Sequence, residues 1–187
     1  MNSPHYFIAV PLPSSLKEKL AGWQRALKPE LPFKQWVHPE DLHITLKFLG
    51  AVSEEQLNML IRLMAQIRNF NSFSLMTGGL GTFGNPENPR VLWTGVERKP
   101  ELMDLQQYVE GIAFESGFKQ EKRPYSPHIT LAKKSAGKTD RIPEVKSRYT
   151  GHQPIAVNQV VLFRIHPGKK PKYGIEEAYK FSRGREQ

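Results

Sequence analysis

The chain contains no cysteine. That excludes disulfides, a thiol nucleophile, cysteine-held iron–sulfur clusters and cysteine zinc sites, and it suits a reducing compartment. Long apolar runs are also absent; none approaches the roughly 18 residues of a spanning helix. The first residues, Met1-Asn2-Ser3-Pro4-His5, have neither the charged start nor the apolar core of a secretory signal. A cytoplasmic protein without membrane contact is the expectation. There is no His-Glu-x-x-His motif and no acidic cluster of the two-metal kind. Gly78-Gly79-Leu80-Gly81 lacks both the spacing and the Lys-Ser/Thr ending of a phosphate loop. No metal or cofactor is called for.

Acidic residues are scarce beside basic ones. Lys+Arg number 27 and Asp+Glu 18, a formal charge of +9. Such an excess favours an anionic partner. At 187 residues the chain can bury a core without staples and reads as one domain, residues 1–187, with no low-complexity linker.

Periodicity supplies the elements. His5 to Val10 reads as a strand stopped by Pro11-Leu12-Pro13. Ser15-Leu16-Lys17-Glu18 reads as a capping box, followed by Leu16, Leu20, Trp23 and Leu27 at helical spacing. Leu42 to Leu49 reads as a strand, and Ser53-Glu54-Glu55-Gln56 as a second capping box before Leu57, Leu60, Ile61, Met64 and Ile67. Phe73 to Leu80 is extended, a turn-rich loop carries Gly81, Gly84, Pro86 and Pro89, and Val91 to Glu97 pairs back across it. Leu102, Leu105, Val109 and Ile112 mark a third helix ending near Gly117. Ile129–Ala132, Gln159–Ile165 and Ile175–Phe181 read as strands. Gly137 to Gly151 reads as a mobile basic loop holding a short helix near Pro143, and the tail from Ser182 as frayed. Strands and helices mix without a βαβ cadence, which predicts α+β with antiparallel sheets.

One tetrapeptide occurs twice, 85 residues apart: His43-Ile44-Thr45-Leu46 and His128-Ile129-Thr130-Leu131. On a strand, residues two apart share a face. Each copy therefore sets an imidazole beside a hydroxyl on one face and apolar groups, with Phe48 included in the first copy, on the other. A hydroxyl and a protonated imidazole both donate to phosphate oxygens. Two imidazoles around one phosphorus can act as base and acid near neutral pH without a metal. Residue pattern alone does not say which is which.

The two copies resemble the paired His-x-Thr motifs of the 2H phosphoesterases, and more narrowly the LigT/ThpR-like RNA 2′,3′-cyclic phosphodiesterases. Tyr6-Phe7-Ile8-Ala9, Glu40 to Gly50, Phe83-Gly84-Asn85-Pro86, Arg90 to Val96 and Pro127 to Lys133 carry the resemblance in order. It implies a bilobal fold in which two antiparallel sheets form a V-shaped cleft with helices outside. It implies opening of a terminal 2′,3′-cyclic phosphate on RNA to a 2′-phosphomonoester, with His43 as proton donor and His128 as acceptor. Competing readings are the same chemistry on small nucleotides or 2′,5′-linked oligonucleotides, and an RNA-end-binding module with weak 2′-5′ ligase activity. A monomer is expected.

Further substrate contacts follow from placement. Lys47 shares the His43 face by strict alternation, with a solvated strand lysine as the competing reading. Lys133 stands where the family often has Arg; it falls on the Ile129 face and ranks below Lys47. Arg123 and Tyr125 run into His128 and are candidates for phosphate and base. Phe7 is a candidate base stacker against a core role, and Arg90 an RNA contact or a loop pin. Lys133 to Arg148 and His166 to Lys172 are basic stretches that read as RNA paths or as solvated surface.

Overall fold

The computed structural model describes residues 3–182. Its elements are β1 (His5–Pro11), α1 (Ser14–Leu27), β2 (Phe33–Trp36), β3 (His43–Ala51), α2 (Glu54–Met64), β4 (Phe73–Asn85), β5 (Asn88–Val96), α3 (Pro100–Glu115), β6 (His128–Ser135), α4 (Ile142–Arg148), β7 (His152–Val157), β8 (Gln159–Ile165) and β9 (Tyr173–Lys180). They form two antiparallel sheets, ordered β3-β1-β8-β9 and β2-β6-β5-β4-β7. The expected α+β class with two antiparallel sheets is therefore present. The repeated motif opens β3 in one sheet and β6 in the other, and these two strands touch where the sheets meet. No helix among the described residues is long and apolar enough to cross a membrane.

The apolar half of each motif anchors its strand. Ile44, Leu46, Ile129 and Leu131 are all buried, together with the helix positions Leu16, Leu20, Leu27, Leu60, Met64, Leu102, Leu105 and Val109. The capping box at Ser53 forms as expected: Gln56 N donates to Ser53 Oγ and Ser53 N to Gln56 Oε1, each at 3.2 Å. The one expected at Ser15 does not. The helix begins a residue earlier, and the carbonyl of Pro13 takes the first amides, at 3.0 Å from Leu16 N. Ser15 is thus already inside the first turn.

The turn-rich stretch after Leu80 is not a loop. β4 continues through Gly81 and Gly84 to Asn85 and pairs with β5 along its length. The glycines serve the ladder. A Cβ on Gly81 would lie 2.0 Å from the Trp93 ring, and Gly84 has φ +100 beside Arg90. Strands β2 and β7 carry little periodic signal, being 4 and 6 residues long. β7 is an edge strand and holds Pro154 there. The stretch 137–151 is not a free loop either: α4 buries Ile142 and Val145 in the core, and Arg141 and Arg148 both reach Glu30, at 2.9 and 2.6 Å. Ser182, where fraying was expected, bonds to Arg68 O at 2.6 Å through its amide; the tail beyond it lies outside the described residues.

Candidate active site

The two histidines are held alike. His43 Nδ1 lies 2.7 Å from the carbonyl of Asp41, and His128 Nδ1 lies 2.7 Å from the carbonyl of Ser126. A carbonyl only accepts, so each ring carries a proton on Nδ1 and leaves Nε2 for chemistry. Thr45 Oγ1 sits 2.9 Å from His43 Nε2 and donates to it in the neutral ring. Aromatic side chains fix both rings. Phe7, Tyr173 and Phe163 pack on His43 with centroids 4.6, 5.4 and 6.3 Å away. Phe83 stands edge-on to His128 at 4.8 Å, with Trp93 at 6.3 Å.

A β-bulge follows each threonine. Against β1 the register jumps from Thr45 to Lys47, and against β5 from Thr130 to Ala132. A bulge adds one residue and reverses the alternation beyond it. Leu46 and Lys47 therefore both point inward, as do Leu131 and Ala132. Phe48 and Lys133 return to the histidine faces. This reverses the ranking of the two lysines. Lys47 is only 7% exposed, bonds to Glu110 at 2.5 Å and to the carbonyl of Lys119 at 2.7 Å, and is a core ion pair. Lys133 is the cation whose charge acts on both His43 and His128. Phe48, expected inward, is 60% exposed.

A glutamine meets each bulge. Gln24 of α1 donates to the carbonyl of Leu131 at 3.0 Å and to that of Val37 at 2.8 Å. Gln106 of α3 reaches the carbonyl of Leu46 at 3.4 Å. Neither glutamine has a motif that could single it out in the sequence.

The other candidates separate clearly. Phe7 is 3% exposed and backs His43, so it cannot stack on a base. Tyr125 is half-buried, and its hydroxyl donates to the carbonyl of Thr45 at 2.9 Å, tying the segment that enters β6 to the first motif. Burial pushes its phenol pKa far up. Arg123 is exposed and folds back on Glu121 through two bonds, at 3.1 and 3.0 Å. Arg90 is exposed beside Gly84, and among the described residues it makes no ion pair.

Asp41 was missed. Its buried carboxylate accepts from the amides of Lys172 and Tyr173, at 3.0 and 3.1 Å, while its carbonyl holds His43. The basic segment 166–172 is thereby brought to the first motif, and Lys172 Nζ lies over the Tyr173 ring at 5.1 Å. The Asp-Leu-His order was the available signal.

Both imidazoles are poised neutral. Burial pushes His43 down to about 4, the bond to the Asp41 carbonyl opposes this, and the charge of Lys133 adds to it. Burial and Lys133 lower His128 as well. Lys133 is itself lowered, first by desolvation and then by Lys172. Two unpaired cations beside two neutral imidazoles make a site that an anion completes. It is a surface between sheets. A cavity of about 560 Å³ lies elsewhere, between α2 and α3 around Leu63, Phe70 and Tyr108, and its lining includes neither histidine.

Two sheets, each carrying one His-x-Thr strand to a shared cationic surface, define a two-histidine phosphoesterase. Comparisons with known proteins narrow the class. Residues 10–93 and 96–173 each match the family model described as LigT like Phosphoesterase. Proteins named RNA 2′,3′-cyclic phosphodiesterase from Geobacillus stearothermophilus and Bacillus subtilis are both 39% identical, over 175 and 180 residues. The match covers 92% of this chain but only 56% of the Geobacillus protein, against 95% and 96% for the Bacillus one. Escherichia coli LigT complexed with 3′-AMP superposes with TM-score 0.81 at 27% identity, covering 97% of this chain and all of that one. The chain belongs to the LigT-like phosphoesterase family.

Proposed function

We propose that this protein opens the terminal 2′,3′-cyclic phosphate of RNA by hydrolysis, leaving a 2′-phosphomonoester. The observation that carries the reading is the pair of imidazoles, each fixed through Nδ1 by the carbonyl two residues before it and each beside a threonine hydroxyl. His128, neutral at rest, takes a proton from water as the oxygen attacks phosphorus. The bond from phosphorus to the 3′-oxygen breaks, and His43 gives that oxygen its proton. Thr45, Thr130 and Lys133 meet the non-bridging oxygens, where charge is concentrated. The substrate monoanion offsets the charge of Lys133 and raises His43, so the acid is charged only when substrate is bound. The relatives' names support the choice of RNA ends. The direction of proton flow rests on the family resemblance.

The test incubates the protein in EDTA with an oligoribonucleotide ending in a 2′,3′-cyclic phosphate. A 2′-phosphate end is expected. A 3′-phosphate end would reverse the leaving group, and loss of activity restored by a divalent metal would remove the metal-free mechanism.

A further inference from the structure

The bulge after Thr45 has placed an aromatic ring where water meets it. Phe48 is 60% exposed, on the same face of β3 as His43 and Thr45. A large apolar ring on an edge strand gains nothing from that position in the free protein. Opposite it on β1 is Phe7, which lies across from Phe163 on β8, which lies across from Ile175 on β9. Cross-strand partners share a face, so one apolar row crosses the whole sheet. Its middle is roofed by His43 and Tyr173, both packed on Phe7. Its β3 end, Phe48, is open. Along β1 the partners of Thr45 and Phe48 are Ala9 and Phe7, so the two side chains stand one same-face step apart, roughly 7 Å.

The second motif has the same bulge and puts Lys133 at the equivalent place. The two copies, identical through His-Ile-Thr-Leu, therefore diverge where the strand returns to the site: a flat apolar ring on one side, a cation on the other. That asymmetry gives a nucleotide only one way to lie, with its phosphate toward Lys133 and its base toward β3.

We propose that Phe48 is the stacking platform for the base of the 3′-terminal nucleotide, and so a specificity-determining residue. The inference rests on the reading of the site as one for RNA cyclic-phosphate ends. Rings accept any base by their faces, and larger bases overlap them more. Wild-type protein therefore favours a terminal purine over a terminal pyrimidine.

The experiment compares wild type, Phe48→Ala and Phe48→Trp on three substrates: an oligonucleotide ending in adenosine cyclic phosphate, the same ending in uridine cyclic phosphate, and methyl riboside 2,3-cyclic phosphate, which has no base. Phe48→Ala should lower kcat/KM on the adenosine end by roughly 5- to 150-fold, the range for one lost base stack. It should act mainly through KM, reduce the purine preference, and leave the baseless substrate within about twofold. Phe48→Trp should restore the adenosine end. A 2-aminopurine at the terminus of a 2′-phosphate RNA should lose fluorescence on binding to wild type and keep it with Phe48→Ala. An equal loss on all three substrates, or none on any, overturns the proposal while hydrolysis by wild type leaves the functional reading standing. A concentration-dependent dimer of wild type that Phe48→Ala abolishes, with kinetics unchanged, assigns the ring to a second copy instead. Failure of wild type to open any of the three ends overturns both readings.

Discussion

Phe48 and Lys133 occupy the same structural position, each the first side chain to regain the histidine face beyond a bulge in its motif strand. Only there do the two repeats differ in kind at the site surface.

The imidazoles act as a pair, so their losses should overlap. His43→Ala and His128→Ala should each reduce turnover by about 10² to 10⁴. The double variant should fall far short of the product of the two, because either loss already breaks the proton relay. Single-turnover rates on folded variants check this. A folded single variant at wild-type rate would exclude its histidine.

The two lysines should part company. Lys133→Gln should depress activity while melting stays near wild type, since Lys133 has no ion-pair partner among the described residues. Lys47→Met should do the reverse. It strands the buried Glu110, whose Oε2 already lacks a partner, at a cost on the order of 3–5 kcal/mol. Lys47→Met with Glu110→Gln should recover most of that loss in chemical denaturation.

Protonation of His43 links the site to stability. Its folded pKa of about 4 lies below the ordinary value of 6.5. The folded state therefore refuses a proton that the unfolded chain accepts. The contribution is full above about pH 6.5 and drains away as pH falls toward 4. Melting curves of wild type against His43→Asn between pH 7 and 4 should converge at the acid end. The same shift predicts a bell-shaped kcat/KM, which reports the free enzyme, lying to the acid side of the kcat profile, because bound phosphate raises the imidazoles.

The basic stretch around α4 should not carry RNA. Arg141 and Arg148 converge on Glu30, and Lys138 faces Glu87 at 4.0 Å. Arg141→Glu should lower the melting temperature and leave the salt slope of oligonucleotide binding unchanged. A slope flattened by about 0.7 would restore a phosphate contact to it.

Pattern carried the sequence reading as far as pattern is regular. The duplicated His-x-Thr strands, the Ser53 cap and the helix stripes were legible because period and face coincide. Lys47, Phe48 and Lys133 were misplaced for one reason: a single added residue at Leu46 and at Leu131 inverts everything after it, and alternation contains no sign of it. β4 was cut short because Gly81 and Gly84 look like turns when read locally, while their role is to admit Trp93 and Arg90 from across the ladder. Asp41 and the two glutamines act over long sequence separations, 131 residues from Asp41 to Lys172, beyond any local pattern.

Gln24 precedes the first motif yet braces the second, and Gln106 follows the first motif yet braces it. Each repeat lends its helix to the other's catalytic strand. The arrangement is that of a domain-swapped pair written into one polypeptide. A fragment that keeps either motif whole still loses what steadies it, so the two halves are separable on paper and inseparable as machinery.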